Sequence, residues 1–348
     1  MTDLEGRLRA QAVQCGLHGS PLTEALLTGA AGDLVAGGIV ADLLAPHLHA
    51  PGGSVVSLRL AGALHRLVLE RRAPELALHY PSVGGTAPVA DIWPAAERAC
   101  RAHADALRPL LTRTVQTNEV GRAAALYGAL ALVGGPVRLL EIGASAGLLL
   151  RCDRFGYDVA EGTVLGDAAS PVRLVKPWQG THPPYDSRVQ IVERRGCDPS
   201  PIDPTTTEGR LTLTSYVWAD QAARLERLRG ALDVAARLPV DVEQAGALDF
   251  LTQQLADLPA GTSTVIWHSV VWQYVDPAER RAVDALLARV GAQATDDAPL
   301  VRISLEPEKG TFVFRVYVQR WPTGERVHVA DAQGHGPPIV WTGAQTGR

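Results

Sequence analysis

A run near the middle of the chain limits the possible fold more than any other feature: Leu139-Leu140-Glu141-Ile142-Gly143-Ala144-Ser145-Ala146-Gly147. Val137 to Ile142 is a short apolar stretch suited to a strand buried on both faces, with a carboxylate beside its end. A turn of small residues follows. Glycine adopts dihedrals that other residues avoid, and its missing side chain lets a ligand approach the backbone. Leu148 to Arg154 reads as a helix, whose first turn carries N–H groups without intrahelical partners. Strand, acid, small-residue turn and helix in this order describe a ligand loop at the carboxyl edge of a parallel sheet. A tight turn that binds nothing is the competing reading. Glu141 suits an ammonium or ribose hydroxyls, and Gly143, Ala144, Ser145 and Gly147 supply the backbone that would line the ligand. The dinucleotide fingerprint G-x-G-x-x-G is not met, because the spacing differs and the acid precedes the glycines.

The surrounding elements place this loop in a larger design. Up to about residue 112 apolar residues recur at helical spacing, as in Leu4, Leu8 and Ala12, and then Leu22, Leu26, Ala30 and Leu34. Ser20-Pro21 reads as an N-cap with proline in the first turn, Gly52-Gly53-Ser54 as the opening of a third helix, and Asp91 as the cap of a fourth. His79-Tyr80-Pro81 leads into a Gly84-Gly85 loop. A further helix, Glu119 to Val133, stops at Gly134-Gly135-Pro136. After the loop, strands are expected at 189–193, 240–243, 264–267 and 300–305, separated by helices at 220–238, 248–258 and 277–290. Such alternation implies a parallel sheet covered by helices. Phe312 to Gln319 and Arg326 to Ala330 alternate around Pro322-Thr323-Gly324, which predicts a terminal antiparallel hairpin. The expected organisation is α/β: an α-helical cap domain over 1–112, then a Rossmann-like, mostly parallel sheet domain over 113–348 ending in the hairpin.

Composition removes several alternatives. The chain has 348 residues, 46% hydrophobic and 20% charged, with a formal net charge of −4. That balance suits a folded globular protein and gives no general attraction to phosphate, so neither nucleic acid nor membrane is an expected partner. Cys15, Cys100, Cys152 and Cys197 are far apart and form no C-x-x-C pair, so no metal site and no disulfide framework is expected. No basic start with an apolar stretch and no long apolar window occurs, and a cytoplasmic location is the expectation.

Two further runs bear on chemistry. Trp267-His268-Ser269-Val270-Val271-Trp272-Gln273-Tyr274 begins at the carboxyl end of a strand, where doubly wound sheets place ligands. His268 there is a candidate general base and Ser269 a candidate ligand contact, against the reading of a satisfied polar pair beneath aromatic packing. Gln116-Thr117-Asn118-Glu119-Val120-Gly121-Arg122 gathers long polar side chains at the domain junction. Asn118 and Arg122 are candidates to position a substrate, although helix capping alone accounts for Asn118.

The loop run resembles the first motif of S-adenosylmethionine (SAM)-dependent methyltransferases, an acid followed by G-x-G-x-G, with Ser145 at the middle glycine. That resemblance implies a second acid at the end of the next strand to hold the ribose, for which Glu193 and Asp198 are the candidates. It makes the Gly-, Pro- and Asp-rich segment from Phe155 to Ser187 an insertion. It also implies an acid near the adenine; Asp249 is the candidate, with Gly246 standing where related proteins carry that acid, and a solvated helix-start carboxylate as the alternative. The runs Gln116 to Glu119 with Gly121-Arg122, Glu141 to Gly147, Arg195-Gly196-Cys197-Asp198, Ser215-Tyr216-Val217-Trp218 and Trp267 to Tyr274 together resemble a bacterial family known as domain of unknown function 2332. Leu149 and Cys152 depart from the Asn and Trp expected of that family. The resemblance implies a methyltransferase-like fold but no reaction. The functional expectation is methyl transfer from SAM to a small-molecule or protein acceptor; a non-catalytic SAM- or nucleotide-binding sensor or scaffold is the alternative.

Overall fold

Gly134, at φ 71°, closes the helix Ala123–Val133, and Gly135, at φ 65°, turns the chain into the strand β1 (Pro136–Ile142). Both glycines adopt the left-handed region that side chains disfavour. A computed structural model of the chain describes residues 3–50, 55–160, 162–180, 189–308 and 313–342. Gly52-Gly53-Ser54, Phe312 and part of the Phe155 to Ser187 insertion lie outside the described residues. The chain divides into two compact units, one of Met1–Thr117 with Thr206–Glu226 and the other of Asn118–Thr205 with Arg227–Arg348. Thr206–Glu226 thus belongs with the N-terminal segment, where the sequence suggested a single contiguous cap ending at residue 112.

The first unit is helical. Ser20 Oγ accepts from Thr23 N at 3.3 Å and Pro21 occupies the first turn, as its sequence predicts for the helix Pro21–Val35. Leu4, Leu8, Leu22, Leu26, Leu60 and Leu64 meet in one apolar core. The helix Thr207–Ser215 was not anticipated; it is fixed by Arg66, whose guanidinium donates to Thr212 Oγ1 at 3.1 Å and pairs with Glu208. Downstream, Asp220 accepts from Ser20 Oγ and from Leu22 N at 3.0 Å, and so caps a helix 198 positions earlier.

The second unit carries the sheets. After β1 come β2 (Gly156–Ala160), β3 (Thr163–Gly166), β4 (Arg173–Val175), β5 (Trp178–Gly180), β6 (Gln190–Asp198), β7 (Val242–Gln244), β8 (Ser263–Ser269), β9 (Leu300–Pro307), β10 (Phe314–Trp321), β11 (Glu325–Gln333) and β12 (Gly336–Trp341). Among the described residues the main sheet has nine strands in the order β5-β12-β11-β10-β9-β8-β1-β6-β7. β7, β6, β1, β8 and β9 pair in parallel, while β9 to β12 form an antiparallel run. This is an α/β fold with a large, mostly parallel sheet, and it carries one more antiparallel strand than the expected terminal hairpin. The chain leaves β1 toward β6 and β7, then returns to β8 on β1's other side. The strand order therefore reverses between β1 and β8, and the carboxyl ends of such strands are where open α/β sheets place a ligand crevice.

The insertion after the loop also has structure. β3-β2-β4 form a small sheet. Tyr157 stacks with Trp178 at 5.5 Å and meets Tyr127 at 4.4 Å, and Trp178 Nε1 donates to Ala124 O at 3.1 Å. These aromatic contacts fasten the segment to the buried helix Ala123–Val133. Among the described residues no single helix is long and apolar enough to cross a membrane.

Candidate functional site

Strand alternation decides which residues share the crevice. Leu140 and Ile142 pair in register with Ile266 and His268, and Glu141 pairs with Trp267 on one side and Gly196 on the other. Residues in register point to the same face, so Glu141 and Trp267 lie on one face of the sheet and His268 on the other. Leu140, Ile142 and Ile266 pack under the helices Ala247–Gln254 and Pro277–Gly291. Glu141 points away from these helices and is buried as well. Opposite it, Gly196 offers no side chain, and Ala144 and Leu150 occupy the space a Cβ there would take, so the carboxyl is buried beside the Trp267 indole.

The loop from Gly143 to Gly147 is strongly bent: Gly143, Ser145 and Gly147 have φ of 69°, 54° and 64°. Ser145 is the costly member, because a non-glycine residue pays about 1 kcal/mol there. The bend is held from outside. Ala144 N donates to Cys197 O at 2.9 Å, Ser145 N to Asp198 Oδ2 at 2.9 Å, and Leu148 N to Asn118 Oδ1 at 3.0 Å. The segment that follows is a six-residue 3-10 helix, Leu149–Arg154, with Arg151 out of helical geometry, rather than the expected helix from Leu148. Six residues broken at Arg151 supply little of the aligned helix dipole that a pyrophosphate site uses.

Several sequence-derived roles change accordingly. Asp198 does reach the loop from the carboxyl end of β6, but Oδ2 accepts from Ser145 N and Oδ1 from Ser200 N at 2.8 Å, so it braces the turn. Asn118, itself at φ 39°, spends its amide oxygen on Leu148 N and is a loop support, not a group that meets an acceptor. Glu193 stands opposite Arg138, well before the strand end, and pairs with Arg138 and Arg195, so it does not join the site. Asp249 is exposed in the first turn of Ala247–Gln254, beyond β7 at the sheet's edge, as the solvated-carboxylate reading has it. Arg122 donates from Nε to Gly334 O at 2.9 Å and from Nη1 to Ser269 O at 3.4 Å, which places it beside the end of β8. Ser269 is buried as the last residue of that strand.

His268 is not a free base. Its Nε2 accepts from Arg302 Nε at 3.0 Å, and because arginine can only donate, the ring proton sits on Nδ1, which donates to Glu306 Oε1 at 2.7 Å. Burial pushes its pKa down despite the Glu306 partner, so the ring is neutral. Arg151 was missed from sequence. It is buried, donates to Gly147 O at 2.7 Å and to Leu238 O at 2.8 Å, and burial together with Arg194 lowers its pKa to about 10. Its signal was its position four residues after Gly147, one turn into the segment that the loop opens.

What remains at the crevice is a set of buried polar atoms without partners among the described residues: Glu141 Oε2, Ser145 Oγ and Trp267 Nε1. Burial foremost, with the nearby Asp198 charge, raises the Glu141 carboxyl well above the usual carboxylate range, and Arg151, the adjacent Trp267 indole and Arg122 act in the opposite sense. An acceptor, a hydroxyl and an indole donor together match a ligand that presents both donors and acceptors.

No curated protein and no solved structure matches the chain. The sequence profile of a bacterial family described as an uncharacterized protein conserved in bacteria, DUF2332, matches residues 5–341, and the chain belongs to that family.

Proposed function

We propose that the second unit binds SAM at the β1/β8 crevice and transfers its methyl group to a small-molecule or protein acceptor. The observation that carries this reading is Glu141, a carboxyl buried where the strand order reverses, whose Oε2 completes no hydrogen bond among the described residues and has the Trp267 indole as its neighbour. A buried acceptor of this kind is expensive to leave unmet, by about 1–3 kcal/mol, and an ammonium or a ribose hydroxyl satisfies it. Ser145 Oγ and Trp267 Nε1 add a hydroxyl and a donor for a carboxylate on the same ligand. The bound cofactor supplies an electrophilic methyl group; the protein's part is alignment, which needs few reactive side chains. Asp198, Asn118 and Arg151 keep the loop in shape, and Arg122 stands by the end of β8 toward the acceptor side.

One observation favours a second reading. With both ring nitrogens of His268 engaged, the strand end lacks the general base anticipated there, which suits a module that binds SAM or a nucleotide without turnover.

Calorimetric titration with SAM and with S-adenosylhomocysteine tests the proposal. Wild type is expected to bind with micromolar affinity, about −8 kcal/mol, and Glu141→Ala to weaken binding at least about tenfold, ~1.4 kcal/mol. Absence of binding by folded wild type rejects the SAM reading altogether. Binding without transfer to any acceptor fraction supports the sensor.

A further inference from the structure

The segment after β8 is held in an unusual way. Val270 has φ 53°, a conformation that β-branched residues rarely take. Val271 then lies so close over Gly143 that a Cβ on that glycine would stand 2.4 Å from Val271 Cγ2. Trp272–Tyr274 closes the segment as a 3-10 turn. Such strain persists only where the surroundings overdetermine it.

The restraint runs through four side chains. Asp284, on the helix Pro277–Gly291, accepts from Arg302 Nη1 at 2.7 Å. Arg302 Nε donates to His268 Nε2, and His268 Nδ1 donates to Glu306 Oε1. That same oxygen accepts from Val271 N and Trp272 N, each at 3.2 Å. The Trp272 ring stacks on His268 with centroids 4.7 Å apart, and the Arg302 guanidinium lies 4.4 Å from the Trp272 centroid. Every link has one donor and one acceptor, so the chain fixes the His268 tautomer and orients the Glu306 carboxylate.

We infer that the chain Asp284–Arg302–His268–Glu306 is a positioning device that holds Val270–Tyr274 against Gly143 and so fixes the wall of the crevice at the glycine turn. His268 acts through Glu306, and Glu306 through the backbone of the segment. The inference concerns the protein's own segment and stands apart from the identity of the ligand.

Hydrogen–deuterium exchange of the full chain tests it, comparing wild type with Glu306→Ala and Glu306→Gln. Gln retains a carbonyl oxygen that can accept from Val271 N and Trp272 N; Ala does not. Glu306→Ala is expected to speed exchange at Val271 and Trp272 by at least about tenfold, while β1 amides from Leu139 to Ile142 stay at the wild-type rate. Glu306→Gln is expected to remain within about threefold of wild type at the same amides. Unchanged exchange in Glu306→Ala overturns the inference. So does acceleration shared with β1, which marks general destabilisation, or equal acceleration in both variants, which shows that the acceptor oxygen does not hold the segment. A wild-type protein that binds no S-adenosylhomocysteine in the separate titration bears on the proposed function alone.

Discussion

Glu141 occupies an environment that opposes its charge, and its protonation therefore registers in stability. Its folded pKa lies well above the ordinary 4.5 because of burial first and Asp198 second. A raised folded value means that the native chain binds the extra proton, so the contribution of this group is fully present below about pH 4.5 and is lost as pH rises through the raised value. Glu141→Gln removes the ionisation while keeping the shape. It is expected to raise stability at alkaline pH by ~1–3 kcal/mol, seen as a higher melting temperature, and to flatten the loss of stability that sets in as pH rises above about 4.5. The same variant should lose ligand affinity. A Gln variant less stable than wild type at high pH would mean that the carboxylate has a stabilising partner within the protein. Ser145 shows the same conflict in another form, since it combines a positive φ with a buried hydroxyl that has no partner among the described residues. Two unfavourable local features on neighbouring residues of one turn are expected of a site shaped for a ligand more than for stability.

The turn after β1 and the segment after β8 behave as one packed element. Gly143→Ala places a Cβ against Val271 and at a φ that alanine resists, and is expected to cost about 2–3 kcal/mol. Val271→Ala removes two methyl groups at a half-buried position, for about 1 kcal/mol. Because the clash is with the Val271 side chain, the double variant should be more stable than the sum of the single effects by about 1 kcal/mol. Urea denaturation of the four proteins measures this; strict additivity would show that the two residues do not touch. The sequence made some of this packing legible. β1, β8 and β9 are short apolar runs next to turn signals, and burial on both faces of a parallel sheet requires that pattern. Glu141 was recognisable because a carboxylate in such a run needs a reason. His268 fits the alternative reading, a satisfied polar group beneath aromatic packing, and its partners Arg302 and Glu306 come from β9, a pairing no local stretch of sequence reveals. β4 and β5 have three residues each, too few to show alternation. Asp198 was found as a strand-end acid, but its use of both oxygens on backbone N–H groups depends on where the loop folds back.

At the scale of the whole chain, the expected cap over residues 1–112 lacks part of its own interior. The first unit takes in Thr206–Glu226, and several of its internal bonds depend on that segment. His65, fully buried, donates from Nδ1 to Ser215 O at 3.2 Å and accepts from Ser82 Oγ at 2.8 Å; Arg66 bonds Thr212 and Glu208; Asp220 caps Ser20 and Leu22. Gly62 also packs directly on the Tyr216 ring. Without 206–226 the imidazole and guanidinium lose partners inside an apolar helix bundle, a penalty of about 1–3 kcal/mol for each buried group. That sum is comparable with the ~5–15 kcal/mol total stability of a domain. A fragment of residues 1–117 is therefore expected to lack a cooperative thermal transition by circular dichroism. The same fragment joined to 206–226 through a flexible linker should regain one. The regained transition should carry a pH signature: burial lowers the His65 pKa from 6.5 to about 4, so the ring stays neutral in the folded unit. A depressed folded value means that the unfolded chain binds the proton first, so stability is full above about pH 6.5 and falls as pH drops toward about 4. His65→Gln in the joined fragment should flatten that slope. A cooperative transition in 1–117 alone would show that the N-terminal helices form a self-sufficient cap and that 206–226 is only an attachment.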